Sequence, residues 1–323
     1  MNVKPNFKMY AIIAALILLL PGVIYALLHF EVLNAFHRGV LMFVFINIIL
    51  ATSLNLSAGF LGQLVLSHAA FMAVGAYTAA IFTARFEISG VLGMLLTLVL
   101  CGVTAAIAGI IIGVPALRLR GDYIAIVTLG FGLIVVSVLE NLEITQGAFG
   151  LRVPRPIPAA NLIYVAFFVM VVVVAMLIAL VRSRHGRAMI AIREDEIAAE
   201  ASGIPTTYYK ILGFTIAAFF AGIAGGLFAY RVGFITPETF TFIESIEFLV
   251  IVVLGGMGSF TGAIVAATVL TILPEALRVF NDYRMLTYSI LLVSMMIFRP
   301  KGLMGTYEFS LQRVISKLTG KKG

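Results

Sequence analysis

Asn55, Ser57, Gln63, Ser67, His68 and Tyr77 fall within one otherwise apolar stretch of the chain. An amide or imidazole at membrane depth is costly unless paired, so such groups should face a bundle interior or a wet cavity. Gln63 and Ser67 are four residues apart and would share one helix face. The glycines of this stretch, Gly59 and Gly62 among them, would allow a broken helix, one way a transporter exposes backbone groups to a solute. These six polar side chains are the candidate lining of a substrate pathway. The plainer alternative is interhelical hydrogen bonding that only fixes packing.

A second group lies near residues 186–205. Good helix formers between Gly186 and the Gly203/Pro205 stop predict a short helix. Ile190, Ile197 and Ala201 would line one stripe, with Arg193, Glu194 and Glu196 exposed. Glu200 follows Glu196 by four residues and extends the acidic side. Helices that lie on lipid usually carry a basic polar face. Glu194, Asp195, Glu196 and Glu200 therefore favour a protein partner. Arg187, Arg193 and the two glycines complete this candidate coupling element.

Other chemistry finds little support. A Gly-x-x-x-x-Gly-Lys-Ser/Thr phosphate cradle is missing, as is any nucleic-acid motif. The single cysteine, Cys101, permits neither an intrachain disulfide nor a cysteine-rich zinc site. Glu140, Glu247 and Glu275 each sit near a predicted helix end, so no mid-membrane carboxylate of the kind that drives proton or sodium carriers stands out. The chain itself should be neither an enzyme nor a cofactor binder. If transport is active, its energy should come from another chain, through the loop containing residues 186–205.

The elements that hold these groups follow from composition. Of 323 residues, 62% are hydrophobic and 11% charged, with a mean hydropathy of +1.11. Soluble domains carry about 25% charged residues. Lipid suits this composition, and runs apolar on every side indicate helices rather than barrel strands. A bilayer core of about 30 Å needs roughly 20 apolar residues per helix. The sequence predicts an all-α polytopic bundle of about ten spans, near 10–28, 39–56, 61–84, 91–114, 123–140, 161–181, 210–230, 245–256, 262–280 and 285–298. The first reads as a retained helix rather than a cleaved leader, because it contains Pro21 and many similar spans follow. The eighth is short enough to be re-entrant.

Charge gives an independent check. With both termini cytoplasmic, 15 of the 22 Lys and Arg residues fall on inner segments. Seven (Arg38, Arg85, Arg152, Arg155, Arg231, Arg278 and Arg284) fall on outer ones. That bias obeys the positive-inside rule. The whole chain, 1–323, reads as one permease domain, with an inner loop at about 182–209 and a cytoplasmic tail at about 299–323. Ala58-Gly59-Phe60-Leu61-Gly62 and Gly258-Ser259-Phe260-Thr261-Gly262 look alike and read as tight inner turns.

From about residue 40 to 303 the chain resembles the M-type permease subunits of bacterial ATP-binding-cassette importers for branched-chain amino acids. The likeness rests on Asn55 to Tyr77, Leu119-Arg120-Gly121-Asp122-Tyr123, Arg187 to Gly203, Gly255-Gly256-Met257-Gly258-Ser259 to Gly262, and Arg299-Pro300-Lys301-Gly302-Leu303. Ser67 departs from the glycine usual before the histidine. The resemblance implies alternating access in the bacterial inner membrane, with ATP and magnesium held on two cytoplasmic ATPase subunits. It further implies a second, related permease and an extracytoplasmic substrate-binding protein. The loop matching Arg187–Gly203 would dock on an ATPase. Relatives carry other amino acids, amides or urea. An ion-coupled secondary carrier and a structural membrane protein are the rival readings.

Overall fold

The computed structural model describes residues 34–117, 119, 121, 123–278, 283–299 and 302–305. The predicted helix at 10–28 and most of the predicted tail lie outside the described residues. The apolar runs form α1 (Ala35–Asn55), α2 (His68–Phe86), α3 (Gly90–Ala116), α4 (Tyr123–Asn141) and α5 (Ala159–Arg182). After them come α6 (Arg184–Glu194), α7 (Glu196–Ala201), α8 (Thr206–Val232), α9 (Phe242–Gly255), α10 (Phe260–Ala276) and α11 (Arg284–Phe298). Leu56–Phe60 continues α1 as a π-helical turn. A two-residue antiparallel pairing, β1 (Leu151–Arg152) with β2 (Phe234–Ile235), ties the long 141–160 connection to the end of α8.

Among the described residues six helices are long and apolar enough to cross a membrane: α1 with its π turn, α2, α3, α4, α5 and α8. Nine of the ten predicted segments coincide with helices, but α9, α10 and α11 have only 14, 17 and 15 residues. At 1.5 Å per residue they reach about 21–26 Å, short of a ~30 Å hydrocarbon core. The segment predicted as a helix from 61 starts seven residues later, at His68.

α8 lies at the centre, packed on α2, α3 and α1. Its small residues make that possible. A Cβ on Gly75 of α2 would collide with the carbonyl of Gly222, so the two backbones touch there. On the outside, α3 exposes Leu92, Leu96, Val99, Val103, Ile107 and Ile111. Such a face is unsuited to water and fits lipid or another apolar helix.

Candidate functional site

The π turn at the end of α1 is fully buried, and it hands the chain to a non-helical stretch over 61–67. Gly62, at φ +75°, takes a conformation that side chains resist. The stretch is held by side chains from distant elements. Leu66 N–H donates to Thr128 Oγ1 of α4 (3.1 Å), and Ala69 N–H to Ser245 Oγ of α9 (3.0 Å). His68 Nε2 lies 3.0 Å from Ser53 Oγ of α1. Ser57 Oγ bonds back to the Leu54 carbonyl at 3.0 Å. Gln63 and Ser67 therefore sit on a non-helical segment, not on a shared helix face as the spacing predicted. Contacts far along the chain set this break.

Asn55 fastens the turn to the connection between α9 and α10. Its Nδ2 donates to the Ser259 carbonyl and its Oδ1 accepts from Gly258 N–H, both at 2.9 Å. The two turns of similar sequence meet here, with the Phe60 and Phe260 rings 4.7 Å apart.

Three of the six polar residues are unmatched. Both amide atoms of Gln63, Ser67 Oγ and Tyr77 Oη are buried with no hydrogen-bond partner among the described residues. A buried polar group left unpaired costs about 1–3 kcal/mol, so a water or solute arriving there would recover energy of that order. Asn55, Ser57 and His68 are already engaged as described.

The coupling element is two helices rather than one. Asp195 is extended (φ −158°), and its Oδ1 accepts from Ile197 and Ala198 N–H at 2.9 and 3.0 Å, capping α7. This break re-aims α7. The buried positions become Met189, Ile192 and Ala199, while Ile197 is 70% exposed, so the predicted stripe of Ile190, Ile197 and Ala201 is not a packed face. Glu194 pairs with Arg193, and Glu196 pairs with the buried Lys210. Glu196 is thus half-buried and internally matched, not free as expected. Glu200 is exposed. Arg187 Nη1 reaches the Arg182 carbonyl at the end of α5 (3.3 Å). Gly203 ends α7 at φ +82°, and a Cβ on Gly186 would collide with the Val181 carbonyl.

Arg193 joins the two constellations. Its Nη1 donates to the Gly59 carbonyl in the π turn at 2.9 Å. Cβ atoms built on Gly62 and Gly258 would lie 2.8 Å from its side chain. One guanidinium thus fills a notch bounded by α6, the π turn and the α9–α10 connection.

Two polar cavities at the opposite end were not evident in the sequence. One, of about 230 Å3, brings Glu244, Glu247 and Glu275 together beside Asn47 and Thr271, which bond to each other at 2.9 Å. The other, of about 250 Å3, brings Arg38, Arg155 and Arg231 together. The i, i+3 spacing of Glu244 and Glu247 was the only local signal. None of the six candidate pathway residues lines either cavity.

Residues 37–299 match the family described as "Branched-chain amino acid transport system / permease component". The chain is 43% identical over 291 residues to the high-affinity branched-chain amino acid transport system permease protein LivM of Salmonella typhimurium. That match covers 80% of this chain and 68% of the relative, as does an equal one to LivM of Escherichia coli. It is also 34% identical over 129 residues to the permease protein LivH of Escherichia coli, covering 39% of this chain and 41% of that one. No solved structure matches the chain.

Proposed function

The chain belongs to the family of branched-chain amino acid transport system permease components, and from that premise we propose that it is the membrane subunit of an ATP-driven importer of leucine, isoleucine and valine. Its bundle crosses the bacterial inner membrane about ten times, with both termini cytoplasmic. It works with a second permease, two cytoplasmic ATPase subunits that hold ATP and magnesium, and an extracytoplasmic binding protein. Likeness to both LivM and LivH supports a related partner permease.

The observation that carries the mechanism is the contact of Arg193 with Gly59. The exposed side of α6 and α7, with Ile197 and Glu200, meets an ATPase subunit. When ATP draws the ATPases together, α6 moves and Arg193 transmits that motion to the π turn. The 61–67 stretch and the start of α2 follow, because Asn55, Thr128 and Ser245 tie them into the bundle. Access then alternates between the two sides, and Gln63, Ser67 and Tyr77 meet the passing solute in one of the states.

The test is leucine uptake in a deletion strain. Uptake should be lost, restored by the wild-type chain, and not restored by Arg193→Ala at equal membrane level. Inactivating the ATPase should abolish uptake as well. Uptake that survives ATPase loss but stops with an uncoupler would instead mark an ion-coupled carrier. No uptake defect on deletion would leave a structural role. Competition by amides, urea or other amino acids would redraw the substrate.

A further inference from the structure

The cavity that gathers Arg38, Arg155 and Arg231 lies where α1 and α5 begin and α8 ends. Among the described residues no carboxylate forms an ion pair with any of the three, since both ion pairs there belong to the α6–α8 region. Like charges gathered without a counter-ion repel one another, and an anion among them removes that cost. Arg155 is held in place by two carbonyls at the end of α8, through Nε to Tyr230 (2.9 Å) and Nη2 to Arg231 (3.2 Å). Arg231 lies over the Phe43 ring, 5.4 Å from its centroid. A Cβ on Gly39 would collide with the Arg231 guanidinium, so α1 leaves room for that group where any other residue would displace it. Arg38 Nε is buried and has no partner among the described residues.

These three belong to the seven basic residues that the charge bias assigns to the outer side. A chain that otherwise concentrates its positive charge on the other side has collected three of its exceptions in one cavity. The remaining wall is aliphatic, with Met42, Leu162 and Ile163. Guanidiniums beside aliphatic side chains match a small molecule with a carboxylate at one end and a branched hydrocarbon at the other. Among the described residues no acidic side chain lines the cavity, so none of them selects for an ammonium group.

We propose that this cavity is a carboxylate-recognition site at the outer mouth of the permease, holding the transported aliphatic amino acid by its carboxylate. The proposal rests on the import reading above and deepens it. Arg38 and Arg231 are the groups that grip the oxyanion, and Arg155 braces the end of α8 beside them.

The test uses the assembled transporter in phosphatidylcholine nanodiscs without the binding protein, with labelled leucine as the probe. Unlabelled leucine and its 2-oxo acid, 4-methyl-2-oxopentanoate, should both displace it, and leucinamide should not. Arg38→Gln and Arg231→Gln should each weaken binding about tenfold or more, the scale of one charge-assisted hydrogen bond. Arg38→Lys should recover part of the loss. Ala159→Leu, which fills the cavity without changing a charge, should weaken binding too. All variants should keep the wild-type melting temperature and their ATPase subunits. Leucinamide competing as well as leucine overturns the proposal, as does unchanged binding in both glutamine variants. A melting temperature that falls in every variant, lysine included, makes the cluster structural and overturns it as well. So does a result in which no carboxylate binds while phosphatidylglycerol co-purifies with the wild type and not with Arg38→Gln. Cellular leucine uptake separates the two readings. Loss of uptake on deletion together with wild-type binding in the variants sinks the carboxylate site alone. Normal uptake on deletion sinks the import reading whatever the cavity binds.

Discussion

Arginine is used differently at the two ends of this bundle. At the end formed by α6 and the π turn, Arg193 meets the Gly59 carbonyl and the Glu194 carboxylate, and glycines at 62 and 258 shape the notch around it. At the end where α1 begins, Arg38, Arg155 and Arg231 share a cavity with no ion-paired carboxylate among the described residues. A cation matched on every side acts as a rivet between rigid parts. At the other end Arg155 is braced by two carbonyls and Arg231 lies over Phe43, but none of the three meets a carboxylate among the described residues, which suits them to receive an anion. The difference fits the proposal that one end moves as one piece while the other accepts a solute. Substitutions at the two ends should therefore fail in different ways.

The largest effect is expected at Asn55, which is fully buried and bonded in both directions to the α9–α10 connection. Asn55→Asp places a charge there and removes the donor to the Ser259 carbonyl, at a cost of several kcal/mol. The protein should fail to accumulate in membranes, measured by immunoblot. Asn55→Ala, losing two hydrogen bonds, should cost about 2–3 kcal/mol and lower the amount only partly. Normal accumulation of Asn55→Asp would mean that this end is not held as a rivet.

A glycine pair makes the comparison directly. Gly258 has φ +85°, and a Cβ there would press on Arg193 Nη1. Gly258→Ala should cost about 1–2 kcal/mol from the left-handed backbone alone, and displaced Arg193 should weaken uptake further. Gly39 is helical, and its added Cβ meets only the far end of the Arg231 side chain. Gly39→Ala should leave stability, read from the melting temperature, within about 0.5 kcal/mol of wild type, because the flexible guanidinium can swing aside and alanine favours the helix over glycine. Equal destabilisation by both would erase the distinction between the ends.

The helices were legible because apolar runs of membrane length are stable in hardly any setting but lipid, and lipid forces them into helices. The break at 61–67 was legible only as a possibility permitted by Gly59 and Gly62. Its extent depends on Thr128 and Ser245, 62 and 176 residues from their partners. No local pattern carries that information. The break at Asp195 had a local signal, an acidic residue positioned to cap the helix that follows, but good helix formers on both sides favoured one continuous helix. The two similar glycine turns read only as tight inner turns, and their meeting through Asn55 and the Phe60 and Phe260 rings comes from the fold. The arginine cavity draws on positions 38, 155 and 231, and only their shared place on the less basic side linked them beforehand.

Exposed residues of α7 should affect coupling with almost no change in stability. Ile197 is 70% exposed, and Glu200 is exposed as well. Reversing Glu194, Asp195 and Glu196 would break two ion pairs and a helix cap along with any docking surface. Ile197→Asp combined with Glu200→Lys leaves those contacts alone. The double variant should melt as the wild type does while ATPase subunits no longer co-purify and uptake is lost. Retained ATPase subunits and wild-type uptake would show that the exposed side of α7 is not the docking face.

The smallest perturbation assigns each end to a side of the membrane. Cys101 is completely buried, and Cys101→Ala removes only one sulfur atom, at a cost near 1 kcal/mol or less. In that background two exposed positions make suitable probes, Ile197 at the rivet end and Ala160 on the wall of the arginine cavity. Ser183 would be a poor choice, because its hydroxyl caps α6. With the bias of 15 basic residues against seven, the α6–α7 end should be cytoplasmic. In cells that lack the ATPase subunits, Ile197→Cys should then be shielded from an impermeant thiol reagent while the cells are sealed and react once the membrane is opened. Ala160→Cys should react in both. Its labelling should slow when leucine is present in excess, because a carboxylate held by Arg38 and Arg231 would lie beside it in the same cavity. Leucinamide should give no such protection. Labelling of Ile197→Cys in intact cells would invert the molecule, and the cavity arginines would then face the cytoplasm, where they could no longer receive a solute arriving from outside.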